Sequence, residues 1–205
     1  KARKVRKKVL ALLLAGTAIL GLTGGGTMQV EAAGQENAYV DTSSYEQLYK
    51  LYEDYFKLGI ACQAMDHWND PTAEIGNQEK EELINRMFNS MTFGNELKPA
   101  YNFDASSENL FKVDFAAEEM LEWAKENNMK VRGHVLVWHS QVDPSIFAID
   151  YQAYADGKLT KSDTAKLDEE CLVDREELLA RLKRYIYGVL EYTYKNGYAD
   201  VIYAW

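Results

Sequence analysis

Val131-Arg132-Gly133-His134-Val135-Leu136-Val137-Trp138-His139-Ser140-Gln141 is a run with an apolar middle into which two imidazoles, an indole, a guanidinium, a hydroxyl and an amide are set. With Asn127-Asn128 ending the helix before it, the segment reads as a strand over Met129–Ser140. Successive side chains of a strand point to opposite faces. His134, Leu136 and Trp138 therefore share one face, and Val135 and Val137 share the other. The valine face suits packing against outer helices. The opposite face carries an imidazole and an indole to the C-terminal end of a strand, where barrel folds of the α/β class build their sites. Taken singly, each of these two residues reads better as core filling.

Working outward from this run, the chain alternates helix and strand. Ser43 and Glu46 have capping-box spacing, and Leu48, Leu51, Tyr52 and Tyr55 follow on one helical face. Phe56–Cys62 is a short apolar strand. Leu83, Ile84, Met87 and Phe88 mark a second helix that runs into a strand at Ser90–Phe93. Asp114 is the expected N-cap of a third helix with a buried stripe of Ala117, Met120, Leu121 and Ala124. After a longer loop over 141–173, Asp174 and Glu177 open a fourth helix. Its apolar face is Leu178, Leu182, Tyr185, Ile186 and Val189, and Asn196-Gly197 closes it. Val201–Trp205 begins a fourth strand. Four strands, each preceded by a helix, mean parallel βα units. A doubly wound sheet and a (β/α)8 barrel both satisfy that pattern. No Gly-x-Gly-x-x-Gly follows the first strand, which disfavours a dinucleotide-binding half. A whole barrel takes about 250 residues, so four units are about half of one.

The N-terminus and the charge balance bound the setting. Lys1, Arg3, Lys4, Arg6, Lys7 and Lys8 precede an apolar run from Val9 to Leu22, then Gly24-Gly25-Gly26. Val30-Glu31-Ala32 places small residues where a signal peptidase needs them. Residues 1–32 are thus expected to be a cleaved signal peptide, 33–44 a polar leader, and the product secreted. The run is shorter than the roughly 20 residues that span a bilayer, so no membrane anchor is expected. Six of the 23 Lys and Arg and one of the 32 Asp and Glu lie in residues 1–32, which leaves 17 against 31. Such an acidic surface disfavours nucleic acid and anionic lipid as partners. Export permits a Cys62–Cys171 disulfide. A buried thiol at a strand end and a second thiol in a loop is the simpler reading.

Metal and serine-nucleophile chemistry find little support. His134 and His139 are five residues apart on the expected strand and face opposite ways, and His67 lies in an apparent loop. Ser140 lacks a Gly-x-Ser-x-Gly elbow. Met91-Thr92-Phe93-Gly94-Asn95-Glu96-Leu97-Lys98-Pro99 is more suggestive. It follows a strand and offers an amide, a carboxylate and an ammonium within four positions, groups able to bind several hydroxyls. Taken by itself, that segment reads slightly better as a solvated turn.

Together these segments resemble a known family. FNSMTFGNELKP (88–99) looks like the second-strand segment of family 10 glycoside hydrolases, the endo-β-1,4-xylanases. VRGHVLVWHSQ (131–141) resembles the family's third-strand segment, ADVIYAW (199–205) the start of its fourth-strand motif, and YFKLGIAC (55–62) its first strand. The resemblance covers residues 45–205. It implies a (β/α)8 barrel of which the first four strands and helices are present, acting on xylan by a retaining mechanism without cofactor or metal, as a monomer. Two glutamates about 5–5.5 Å apart do that chemistry, one as acid/base and one as nucleophile. By the motif both fall beyond Trp205. By position, Asn95 and Lys98 would bind hydroxyls of the −2 sugar, His134 would contact the −1 sugar, Trp138 would wall the cleft and Gln141 would add a hydrogen bond. Trp205 would support the acid/base region. Family members commonly have Glu where this chain has Gly94, so one contact to the −2 sugar is in doubt. Half a barrel is expected to be loose or aggregating, to bind xylan poorly and to hydrolyse none. The other readings are a barrel enzyme cleaving another β-1,4-glycan and a non-catalytic xylan-binding protein.

Overall fold

Four short parallel strands organise the chain. They are β1 (Gly59–Cys62), β2 (Ser90–Phe93), β3 (Lys130–Arg132) and β4 (Ile202–Ala204), side by side in chain order. The structure is a computed structural model and describes residues 43–64, 70–150 and 171–205. Expectations for the signal peptide, most of the polar leader and His67 lie outside the described residues. The register runs Gly59↔Ser90 to Cys62↔Phe93, then Ser90↔Lys130 to Thr92↔Arg132, with a bulge before Arg132↔Ala204. Parallel neighbours need a crossover, and helices supply it: α1 (Gln78–Met87), α3 (Phe115–Glu126) and α4 (Arg175–Lys195), with a one-turn α2 (Pro99–Asn102) after β2.

The helices form where caps and burial coincide. In α3 the Asp114 carboxylate accepts from the Ala116 amide at 3.0 Å, and Ala116, Ala117, Met120, Leu121 and Ala124 are all buried. This is the expected stripe. It packs on Met91, Phe93, Val131 and Ile202 of the sheet. α1 starts earlier than its apolar residues suggest, because Asn77 caps the Lys80 amide at 3.2 Å and Glu79 and Glu81 occupy the first turn. Only Ile84 of its expected stripe is fully buried.

Three expectations are corrected. The capping-box spacing at Ser43 starts no α-helix, and only a single 3-10 turn forms, at Leu48–Leu51, with no side-chain cap. Of the stripe, Leu48 and Tyr52 are only half-buried and Leu51 and Tyr55 remain exposed, too little burial to repay helix nucleation. α4 buries its expected face only in part: Tyr185 and Val189 are buried and Leu178, Leu182 and Ile186 half-buried, while Arg181, Gly188 and Thr193, outside the expected stripe, are buried as well. The closest approach runs through Gly188, where a Cβ would lie 2.9 Å from both the Asn109 carbonyl and the Phe111 Cβ. The line of contact thus follows the residue with no side chain. Finally, the strand expected over Met129–Ser140 is only Lys130–Arg132. The ladder stops at Thr92↔Arg132, and the chain bends from Gly133 onward with a cis His134–Val135 peptide. Two-residue alternation holds only in extended backbone, so the valine face dissolves and Val137 is exposed.

A second core lies beside the first. Phe103, Leu110, Phe111, Ile146, Tyr185 and Val189 pack the loops after β2 and β3 onto α4. The Tyr185 ring sits 6.0 Å from that of Phe103 and 6.1 Å from that of Phe111. Cys62 and Cys171 are free, Cys62 buried at the end of β1. Burial, followed by Glu74 and Glu96, pushes its thiol up to about 12, so it stays protonated and inert at neutral pH.

Candidate functional site

The segments leaving the C-terminal ends of β1, β2 and β3 meet at one rim. Asn95 and Lys98 come from the turn after β2, and His134, Trp138 and Gln141 come from the bend after β3. The Lys98 ammonium donates to the Asn95 side-chain oxygen at 2.8 Å and to the Gln141 Oε1. The Gln141 amide donates to the same Asn95 oxygen at 3.1 Å. Lys98 Nζ also lies 5.5 Å from the Trp138 ring centroid, within cation–π range. His134 meets Trp138 edge-on at 4.8 Å between ring centroids, and His139 stacks on the same indole at 5.2 Å. All five candidate residues are therefore brought together. The means is a bend, and the expected flat strand face plays no part.

The positive charge at this rim sits on a nearly buried ammonium. Lys98 is only 8% exposed and uses neutral amide oxygens as acceptors. His134 is held below the ordinary histidine range, first by burial and then by the nearby Lys98 and Arg132 charges. Its imidazole is therefore neutral near pH 7 and presents one donor and one acceptor. Gln141 has φ 50, a left-handed conformation that costs a non-glycine residue on the order of 1 kcal/mol or more and is often retained at binding sites. Its carbonyl is held by the Ala100 amide at 2.9 Å.

Three positioning groups escaped the reading of the sequence. The sequence groups Glu96 with Asn95 and Lys98 as a possible hydroxyl binder. In the structure it is fully buried, accepting from the Ala64 amide at 3.0 Å and the Asn95 amide at 2.9 Å. Its carboxylate ties the end of β1 to the turn after β2. Asn102, also buried, donates to the Glu96 and Lys98 carbonyls and accepts from the Asp114 amide, which locks that turn to the start of α3. Arg181 is buried on α4 and donates to the carbonyls of Ile146 at 3.1 Å and Ala148 at 2.8 Å, with Glu177 on its Nε. It anchors the chain that follows Gln141. A buried polar residue looks like any surface polar residue in sequence, so only the capping spacing of Asp114 hinted at this network.

Gly133 and Gly94 each make room for a neighbour. A Cβ at 133 would lie 2.4 Å from the Trp205 indole, so the glycine seats that ring between the two cores. A Cβ at 94 would lie 2.8 Å from Gln63 Cγ, so the Gln63 side chain occupies the space a larger residue would need.

Residues 47–205 match the profile of glycosyl hydrolase family 10. The chain belongs to that family. The rim is thus at the C-terminal face of the first four strands of a (β/α)8 barrel, and the chain covers only part of the family's catalytic domain. It is 34% identical over 163 residues to endo-1,4-beta-xylanase B of Butyrivibrio fibrisolvens, covering 75% of this chain and 22% of that protein. The structure superposes on the intracellular xylanase of Thermoanaerobacterium saccharolyticum with a TM-score of 0.57 and 28% identity, over 79% of this chain and 42% of that one. It also matches the N-terminal endo-1,4-beta-D-xylanase 10B of Clostridium thermocellum, solved with xylohexaose, at a TM-score of 0.54 and 27% identity over 72% of this chain and 25% of that one. The chain spans well under half the length of each of these relatives.

Proposed function

We propose that this chain forms the glycone side of the cleft of a secreted endo-1,4-β-xylanase that cleaves internal xylosidic bonds with retention of configuration. The observation that carries the reading is the meeting of Asn95, Lys98, Gln141, Trp138 and His134 at one strand-end rim in a member of family 10. In this reading Asn95 and Lys98 take hydroxyls of the −2 xylose, neutral His134 contacts the −1 sugar and Gln141 adds a hydrogen bond. The Trp138 indole supplies a flat wall for the C–H face of a sugar ring. The acid/base and nucleophile glutamates belong to strands past Trp205, so reducing-sugar release is expected from the complete catalytic domain and not from residues 33–205.

The test is a rate comparison on the complete enzyme. Asn95→Ala should raise KM for xylotetraose about 3- to 10-fold, the loss of one neutral hydrogen bond or slightly more, with kcat little changed. Xylan should be hydrolysed in clear preference to soluble cellulose. Equal KM values, or a preference for cellulose, would overturn the reading. Export rests on the leader, and N-terminal sequencing of secreted protein should begin at Ala33; recovery only from cells would contradict it.

A further inference from the structure

We propose that Gln63 is a substrate-contacting residue, its carboxamide taking a sugar hydroxyl at the end of the cleft marked by Asn95 and Lys98. This rests on the carbohydrate reading of the rim.

Three observations converge on it. The backbone of Gln63 is pinned: its amide donates to Glu74 Oε2 at 3.1 Å, and its carbonyl accepts from the amides of Glu74 and Ile75 at 3.2 and 3.0 Å. The residue cannot drift from the end of β1. Its side chain lies across the backbone of Gly94, with Cγ 2.8 Å and Nε2 3.2 Å from where a Cβ would stand. Finally, the Glu96 carboxylate holds the amides of Ala64 and Asn95 on its two oxygens, so the residues following Gln63 and Gly94 are clamped to one group. Gln63 and Asn95 therefore belong to the same small rigid corner.

Gln63 is half-exposed, and among the described residues its carboxamide makes no hydrogen bond. The other amides at the rim, those of Asn95 and Gln141, are tied into the Lys98 network. A pinned residue with an uncommitted donor and acceptor, laid over a glycine beside a polar binding corner, is preorganised for a neutral ligand with paired hydroxyls. It presents no charge, so it suits a neutral sugar ring.

The experiment uses the complete enzyme and initial rates on xylotetraose. Gln63→Met keeps the volume and removes both hydrogen-bonding groups. It should raise KM about three- to tenfold with kcat nearly unchanged and the melting temperature unmoved. Gly94→Ala should give a similar rise by forcing Gln63 to rotate away. In the Gln63→Ala background the same Gly94→Ala change should add nothing, because the clash is gone. Unchanged KM in Gln63→Met, while Asn95→Ala raises it, would overturn the proposal and leave the site reading standing. Unchanged KM in both would overturn the site reading with it. Fully additive effects of the two changes would also overturn the proposal.

Discussion

The layer of α3 against the sheet and the rim above it are built on opposite principles. Beneath the sheet, Met120, Leu121, Ala124, Met91, Phe93 and Val131 are all buried, and their roles follow from regular spacing on regular elements. At the rim the residues sit on turns and bends, and polar contacts hold them: Lys98 to Asn95 and Gln141, Glu96 to two amides, Arg181 to two carbonyls. The first region resists change by volume and the second by geometry. A ligand site needs the second kind, because polar groups must remain presented to a substrate while their own positions stay fixed.

That contrast can be broken or sharpened by experiment, and the largest effect belongs beneath the sheet. In the complete domain, Leu121→Ala should lower the unfolding free energy by about 2–5 kcal/mol, as for other buried leucines, while KM of the remaining folded enzyme stays put. Denaturant titration and rates on xylotetraose read the two quantities. A large change in KM at preserved folding would show that the two regions are not separable.

Lys98→Met should invert the pattern. Losing a charged donor to the rim amides and to substrate is expected to raise KM tenfold or more, about 1.5–3 kcal/mol, measured by steady-state kinetics. Arg181→Met tests the anchor between the regions. The Ile146 and Ala148 carbonyls lose their donor, so stability should fall by about 1–3 kcal/mol and KM should rise through Gln141. Unchanged KM would show that the chain after Gln141 positions nothing.

The smallest effect is electrostatic. Because His134 is held below its ordinary range when folded, the unfolded chain takes up the proton first as pH falls. The folded form thus keeps its full stability above about pH 6.5, the unfolded histidine value, and loses it as pH drops toward the lowered folded value. His134→Asn should remove that acid-side loss, visible as a difference between unfolding titrations at pH 7.5 and pH 5. Parallel curves for the two proteins would refute the assignment.

Several of these features were legible in the residues and several were not. The Asp114 and Asp174 caps, the α3 stripe and the four strands follow from local spacing, and local spacing survives folding. The five rim residues were legible as types in ordered motifs, though not as an arrangement. The alternation expected at His134 and Trp138 is absent, since no strand continues past Arg132, and the two rings meet across a bend. The 43–56 stretch shows the converse. It carries a cap signal and a stripe as good as those of α3, but that stripe is at most half-buried, with Tyr55 and Leu51 exposed, and only one tight turn forms.

By itself the amino-acid sequence determined the alternating parallel architecture, the family and the identity of the rim side chains, because caps, apolar periodicity and motif order are properties of short stretches. Only the tertiary structure decided which polar residues are structural, where β3 ends and which face α4 buries. Those outcomes depend on contacts between residues far apart in the chain: Glu96 with Ala64, Arg181 with Ala148, Gly188 with Phe111 and Gln63 with Gly94. Burial turns a polar side chain into a scaffold or leaves it free to bind, and burial is a property of the assembled fold.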